Sequence, residues 1–174
     1  MKTLNRWRIL LAAIPLAGIA FAAIPAAAAP VAVAAGPHTV QVSARLTVTY
    51  TAPQVCKAGI CIIRNHGTGT LAPYGPVTFT TVITADGNQP PCGAKSQWVN
   101  RIIRTILTSK GTLVLHEAGL QCPQPGVGPQ VKAVWAADGA DSTGIFTGAR
   151  GQGSDTAYPL RNTAAPQGTL TLSR

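Results

Sequence analysis

The chain has 174 residues, 18 Gly, 14 Pro and only 11% charged residues, which suits one domain with a proper core behind a leader. Its formal net charge is +9, falling to +6 over residues 36–174, where eleven Lys/Arg stand singly among five acids. Such scattered charge, with few aromatics to stack bases, decorates a soluble face and speaks against a nucleic-acid surface.

The first 35 residues read as a secretory signal peptide. Lys2, Arg6 and Arg8 supply a positive start, Ile9 to Ala23 an apolar run, and Ala26 to Ala29 the small residues before cleavage. Cleavage is expected after Ala28 or Ala29, or later after Ala35. Pro15 and Pro25 interrupt the apolar stretch and disfavour an uncleaved anchor. Arg6 and Arg8 are split by Trp7, so the general secretion route is expected over a twin-arginine route. No later segment is long and apolar enough to span a bilayer, so residues 36–174 are expected as an exported domain without stable membrane insertion.

Strand patterning starts at once in that domain. In "VQVSARLTVTY", 40–50, Val40, Val42, Leu46, Val48 and Tyr50 share one parity, and Gln41, Ser43, Arg45, Thr47 and Thr49 hold the other. "VTFTTVIT", 77–84, is β-branched and bounded by Gly75-Pro76 and Asp86-Gly87. The segment 98–119 is ambiguous. Trp98, Val99, Ile102, Ile103, Ile106 and Leu107 recur at helical spacing, but the stretch is β-branched and "SKGT" suits a hairpin turn at Lys110-Gly111. A β-hairpin is the expectation. "VKAVWAAD", 131–138, and "GTLTLS", 168–173, add strands, with loops expected at 123–129 and 159–166. Many short strands with Gly/Pro turns and no strong helix predict an all-β, single-domain barrel or sandwich.

The stretch "STGIFTGARGQGSD", 142–155, invites a phosphate-loop reading. A phosphate cradle needs a helix N-terminus after it, and neither the helix nor a Gly-Lys-Ser/Thr ending is present. Gly144, Gly148, Gly151 and Gly153 are therefore expected as structural, marking bulges or close backbone approach along a strand, with Ile145 and Phe146 packing inward.

That pattern, a Phe among small residues and then Gly-Ala-Arg-Gly-x-Gly after Thr-Gly, resembles the dirigent and allene oxide cyclase barrel-like superfamily. The likeness covers roughly 67–174 and is greatest to small secreted bacterial members, in which the motif follows two cysteines that bracket a hairpin, as Cys92 and Cys122 do. The resemblance implies a closed antiparallel barrel of about eight strands. It implies little about activity, and no cofactor is expected.

Four cysteines in an exported domain argue for two disulfides, with three connectivities open. Their spacings of four, thirty and twenty-nine intervening residues do not form the close pairs of a zinc site. Folding the hairpin at Lys110-Gly111 places Val99 opposite Cys122, so Cys92 needs a short excursion to reach it. Cys92–Cys122 and Cys56–Cys61 are the pairs expected.

Few residues carry chemistry. His38, His66 and His116 have no metal-ligand spacing, and His116 and Glu117, adjacent on a strand, point to opposite faces; no metal is expected. Glu117, the single glutamate, shares parity with Leu113 and Leu115. A buried carboxylate there would have a raised pKa suited to proton transfer. The competing reading puts it at a strand end in solvent or paired with an arginine, Arg101 being the mate expected. Trp98, Trp135, Tyr50, Phe79 and Phe146 either line a pocket for an apolar ligand or fill the core. Two functions follow: a secreted barrel binding, isomerising or cyclising a small apolar molecule, or a surface-acting module such as an adhesin, envelope-associated protein or protease inhibitor. They differ in whether the barrel is open or filled.

Overall fold

Inward and outward residues alternate along most of the chain, and the strands so formed curl into a closed barrel. The computed structural model describes residues 36–173; the expected signal peptide lies outside them. Ten strands run in chain order: β1 (His38–Thr51), β2 (Val55–Lys57), β3 (Ile60–Ala72), β4 (Gly75–Asp86), β5 (Gln97–Thr108), β6 (Gly111–Gln124), β7 (Gly128–Ala137), β8 (Arg150–Tyr158), β9 (Thr163–Ala164) and β10 (Gln167–Leu172). All ladders between them are antiparallel. Strands β3 to β8 pair in succession, β10 bridges β8 and β1, and β1 returns to β3, closing eight strands into a ring. Closure removes the exposed edges that an open sheet of this size would present.

The strands expected at 40–50, 77–84, 131–138 and 168–173 lie within or largely within β1, β4, β7 and β10. The ambiguous segment is the β5–β6 hairpin. Its turn residues are Ser109 and Lys110, and Thr108 pairs with Gly111, whose φ is +136°. Val99 therefore pairs with Gly119, not with Cys122. A bulge between Val99 and Ile102 puts Val99, Ile102, Arg104, Ile106 and Thr108 on the buried face. One bulge turns a period of two into an apparent helical spacing.

The expected loops are shorter than the sequence suggests. β6 and β7 run into 123–129, and a 3-10 turn (Pro159–Arg161) and β9 occupy most of 159–166. The glycine stretch is split as well. Gly144–Phe146 is a 3-10 turn in the β7–β8 connection, and only from Arg150 onward is it strand. Gly144 and Gly148 have φ of +64° and +71°, which glycine adopts readily and L side chains rarely do. At Gly151 and Gly153, on β8, an added Cβ would run into the carbonyls of Thr169 and Gln167.

Phe146 is fully buried at one end of the barrel, edge-on to Tyr74 with ring centroids 4.9 Å apart. Around it pack Val42, Leu46, Phe79, Ile106, Leu113 and Leu170, among others. Burying one such Phe contributes roughly 1.5–3 kcal/mol. Trp135 belongs to the same cluster and donates its Nε1–H to the carbonyls of Ser154 (3.2 Å) and Gln167 (3.1 Å).

Cys56 and Cys61 are bonded across the β2–β3 pair, and Cys92 and Cys122 are bonded with Cα atoms 5.7 Å apart. Chain-entropy arguments give about 2 kcal/mol for the short loop and about 4 kcal/mol for the long one.

Candidate functional site

The other end of the barrel is built differently. Register sets four polar residues in a row across neighbouring strands: Thr51 of β1 opposes Asn65 of β3, Asn65 opposes Thr81 of β4, and Thr81 opposes Arg104 of β5. All four border a cavity of about 380 Å³. Its apolar walls come from Val48, Ile63, Ile83, Val99, Ile102 and Val131. Gln54, Gln97, Gln121 and Asn162 also line it.

Arg104 sits inside the barrel because it shares a face with Ile102 and Ile106, and its side chain is only 4% exposed. A buried guanidinium needs partners, and it has two carboxylates. Its Nε donates to Glu117 Oε1 at 2.6 Å, and its Nη2 donates to Asp155 Oδ2 at 2.6 Å and to Glu117 Oε2 at 3.2 Å. Asp155 Oδ1 accepts the Ala165 backbone N–H at 3.0 Å. The guanidinium also lies over the Phe79 ring, 5.8 Å from its centroid.

One cation and two carboxylates leave an excess negative charge when all are ionised. Burial pushes the Glu117 carboxyl up to about 7; Arg104 pulls against that shift and Asp155 adds to it. For Arg104, burial works against the cation, but the attraction of Glu117 and Asp155 outweighs it and holds the pKa above the ordinary value. The protonated form of Glu117 is therefore favoured to higher pH than in a free carboxyl group.

Glu117 lies on the buried face with Leu113 and Leu115, and it pairs with an arginine. That arginine is Arg104; Arg101, the mate expected, is exposed on the outer face, because it adjoins the inward-facing Ile102 and successive strand residues point to opposite sides. Glu117 itself does not line the cavity, whereas Arg104, to which it is bonded, does.

None of the five aromatic residues lines the cavity. Phe79, Phe146 and Trp135 are packed in the core. Tyr50 and Trp98 are 52% and 43% exposed. For Tyr50 the cause is a bulge between Val48 and Tyr50, which turns it outward to stack on His66 at 5.0 Å. Trp98 lies before the β5 bulge, so its parity is opposite to that of Ile102 and Ile106.

Asn65, Thr81, Arg104 and Asp155 were not singled out by sequence reasoning. Inward parity is the signal for two of them, Arg104 and Asp155. The hairpin register sets Arg104 two places from the Glu117 partner Ile102, on the same face, and Asp155 continues the inward parity of Gly151 and Gly153. Among the described residues, Asn65 Oδ1 and Thr81 Oγ1 are the buried side-chain polar atoms with no hydrogen-bond partner in the protein. Both belong to the cavity wall.

On the outer face the β6–β7 register brings His116 to Asp138, with Nε2 and Oδ2 3.4 Å apart, and Asp141 completes a group whose ligand atoms lie within 4.8 Å. Asp138 Oδ1 accepts the N–H groups of Ala140 and Asp141, so this carboxylate organises the β7–β8 connection.

The chain matches no family model, no curated protein and no solved structure.

Proposed function

We propose that this is an exported barrel that binds a small, largely apolar molecule in the open end of its interior. The observation that carries this is the cavity of about 380 Å³, apolar on its walls and bordered by the Asn65–Thr81–Arg104 row, of which Thr81 and Arg104 are buried. Ligand pockets characteristically combine apolar walls with a few placed polar groups. Glu117 is bonded behind Arg104 and does not line the cavity, which favours binding over direct proton transfer by that carboxyl. Export is supported by the leader-like first 35 residues and by the two disulfides. The eight-strand closure supports the resemblance of 142–153 to the dirigent and allene oxide cyclase barrel-like superfamily.

A neutral environment-sensitive dye, N-phenyl-1-naphthylamine, tests the binding. It should be taken up saturably and displaced by small apolar compounds, which should raise the melting temperature by ligand linkage. Val99→Phe, which fills the cavity from its wall, should abolish uptake while leaving the circular dichroism unchanged. Equal uptake by wild type and Val99→Phe, or none by wild type, would refute the proposal.

A further inference from the structure

We infer that Asn65 and Thr81 are a recognition pair for a hydroxyl group, so that the cavity selects a neutral alcohol over a hydrocarbon or a carboxylate of similar size. The inference rests on the binding function proposed above and specifies its ligand class.

Asn65 and Thr81 are directly opposed on β3 and β4, which places their Cβ atoms roughly 5 Å apart. Thr81 is 3% exposed, and its Oγ1 finds no partner in the protein. The same is true of Asn65 Oδ1. Polar atoms left unpaired inside a barrel are costly, and the two residues that carry them line one cavity. An alcohol oxygen about 2.8 Å from each satisfies the pair, donating to Asn65 Oδ1 and accepting from Thr81 Oγ1.

The neighbouring charges argue against an anion. Arg104 already makes three hydrogen bonds to two carboxylates, so its positive charge is matched from behind. A ligand carboxylate would meet Asn65 Oδ1 with acceptors only and would add negative charge beside Glu117 and Asp155. A hydrocarbon would leave both Asn65 Oδ1 and Thr81 Oγ1 unpaired. Sites built to hydrogen-bond a hydroxyl reject analogues that lack it for this reason.

The test uses displacement of N-phenyl-1-naphthylamine by 1-octanol, nonane and octanoate at pH 8. The readout is the octanol-to-nonane affinity ratio, which cancels the shared apolar body. Thr81→Val should lower that ratio about tenfold relative to wild type, with nonane binding retained, and Asn65→Leu should act in the same direction. Octanoate should displace the dye less readily than octanol in the wild type. Thr81→Val removes a buried unpaired hydroxyl at nearly constant volume, so it should also raise the melting temperature. A higher melting temperature with an unchanged ratio would mean the hydroxyl is only a packing defect, and would overturn the inference while the binding function stands. Octanoate binding as well as octanol would overturn it too. Failure of the wild type to take up the dye would overturn both.

Discussion

At the Phe146 end of the barrel, side chains from several strands converge on a 3-10 turn that fills the interior; at the other end, the same strands border a cavity with polar residues. The antiparallel topology makes the two ends alternatives within each strand. Leu46, near the middle of β1, packs in the core, while Thr51 at its C-terminus borders the cavity. On β5 the order runs the other way, with Val99 in the cavity wall and Ile106 in the core. Between the ends stands the Arg104–Glu117–Asp155 cluster. The contrast teaches that apolar packing need fill only part of a small barrel, leaving the remainder to be shaped for a ligand.

The largest effects should come from removing what holds each region. Phe146→Ala opens a void in the filled end, and Arg104→Leu strands two buried carboxylates; each should cost roughly 3–5 kcal/mol in urea denaturation. Acid separates them. The Arg104→Leu cost should shrink as pH falls and Glu117 protonates, whereas the Phe146→Ala cost should not.

Glu117→Gln sharpens the comparison through pH. The Glu117 pKa is raised in the folded chain from 4.5 to about 7, so the native state binds more protons than the unfolded state between those values. Its contribution to stability is therefore fully present below about pH 4.5 and is lost as pH rises through 7. The wild type should lose on the order of 3 kcal/mol over that window, and Glu117→Gln should lack this slope. A melting-temperature series from pH 4 to 8 on both proteins checks it, and identical slopes would contradict the shift.

Overpacking gives the smallest contrast. Leu113→Phe, in the filled end, should cost about 1–3 kcal/mol because no space receives the larger ring. Val99→Phe, at the cavity wall, should change stability by no more than about 1 kcal/mol in either direction. Equal costs at the two positions would mean the ends are packed alike.

Much of this architecture is local information. Period-two alternation marks β1, β4, β7 and β10, and the shared parity of Leu113, Leu115 and Glu117 puts a carboxyl on the buried face. The spacing of the cysteines and hairpin is compatible with the Cys92–Cys122 bond, even though Val99 sits three positions away from the register expected. What alternation cannot convey is where it breaks. One bulged residue in β1 turns Tyr50 outward, and another in β5 exposes Trp98, while the hairpin register gives Glu117 Arg104 as its partner in place of Arg101. The Asn65–Thr81–Arg104 row and the approach of Asp155 are further removed from local sequence. They depend on the pairing of β3, β4 and β5 and on the closing of β8 against β7 and β10, where long-range packing and hydrogen bonding settle the register. Periodicity in the sequence thus determines which residues face inward over each unbroken run, while bulges, inter-strand register and ring closure determine which inward residues meet, because those are properties of strands far apart in the chain.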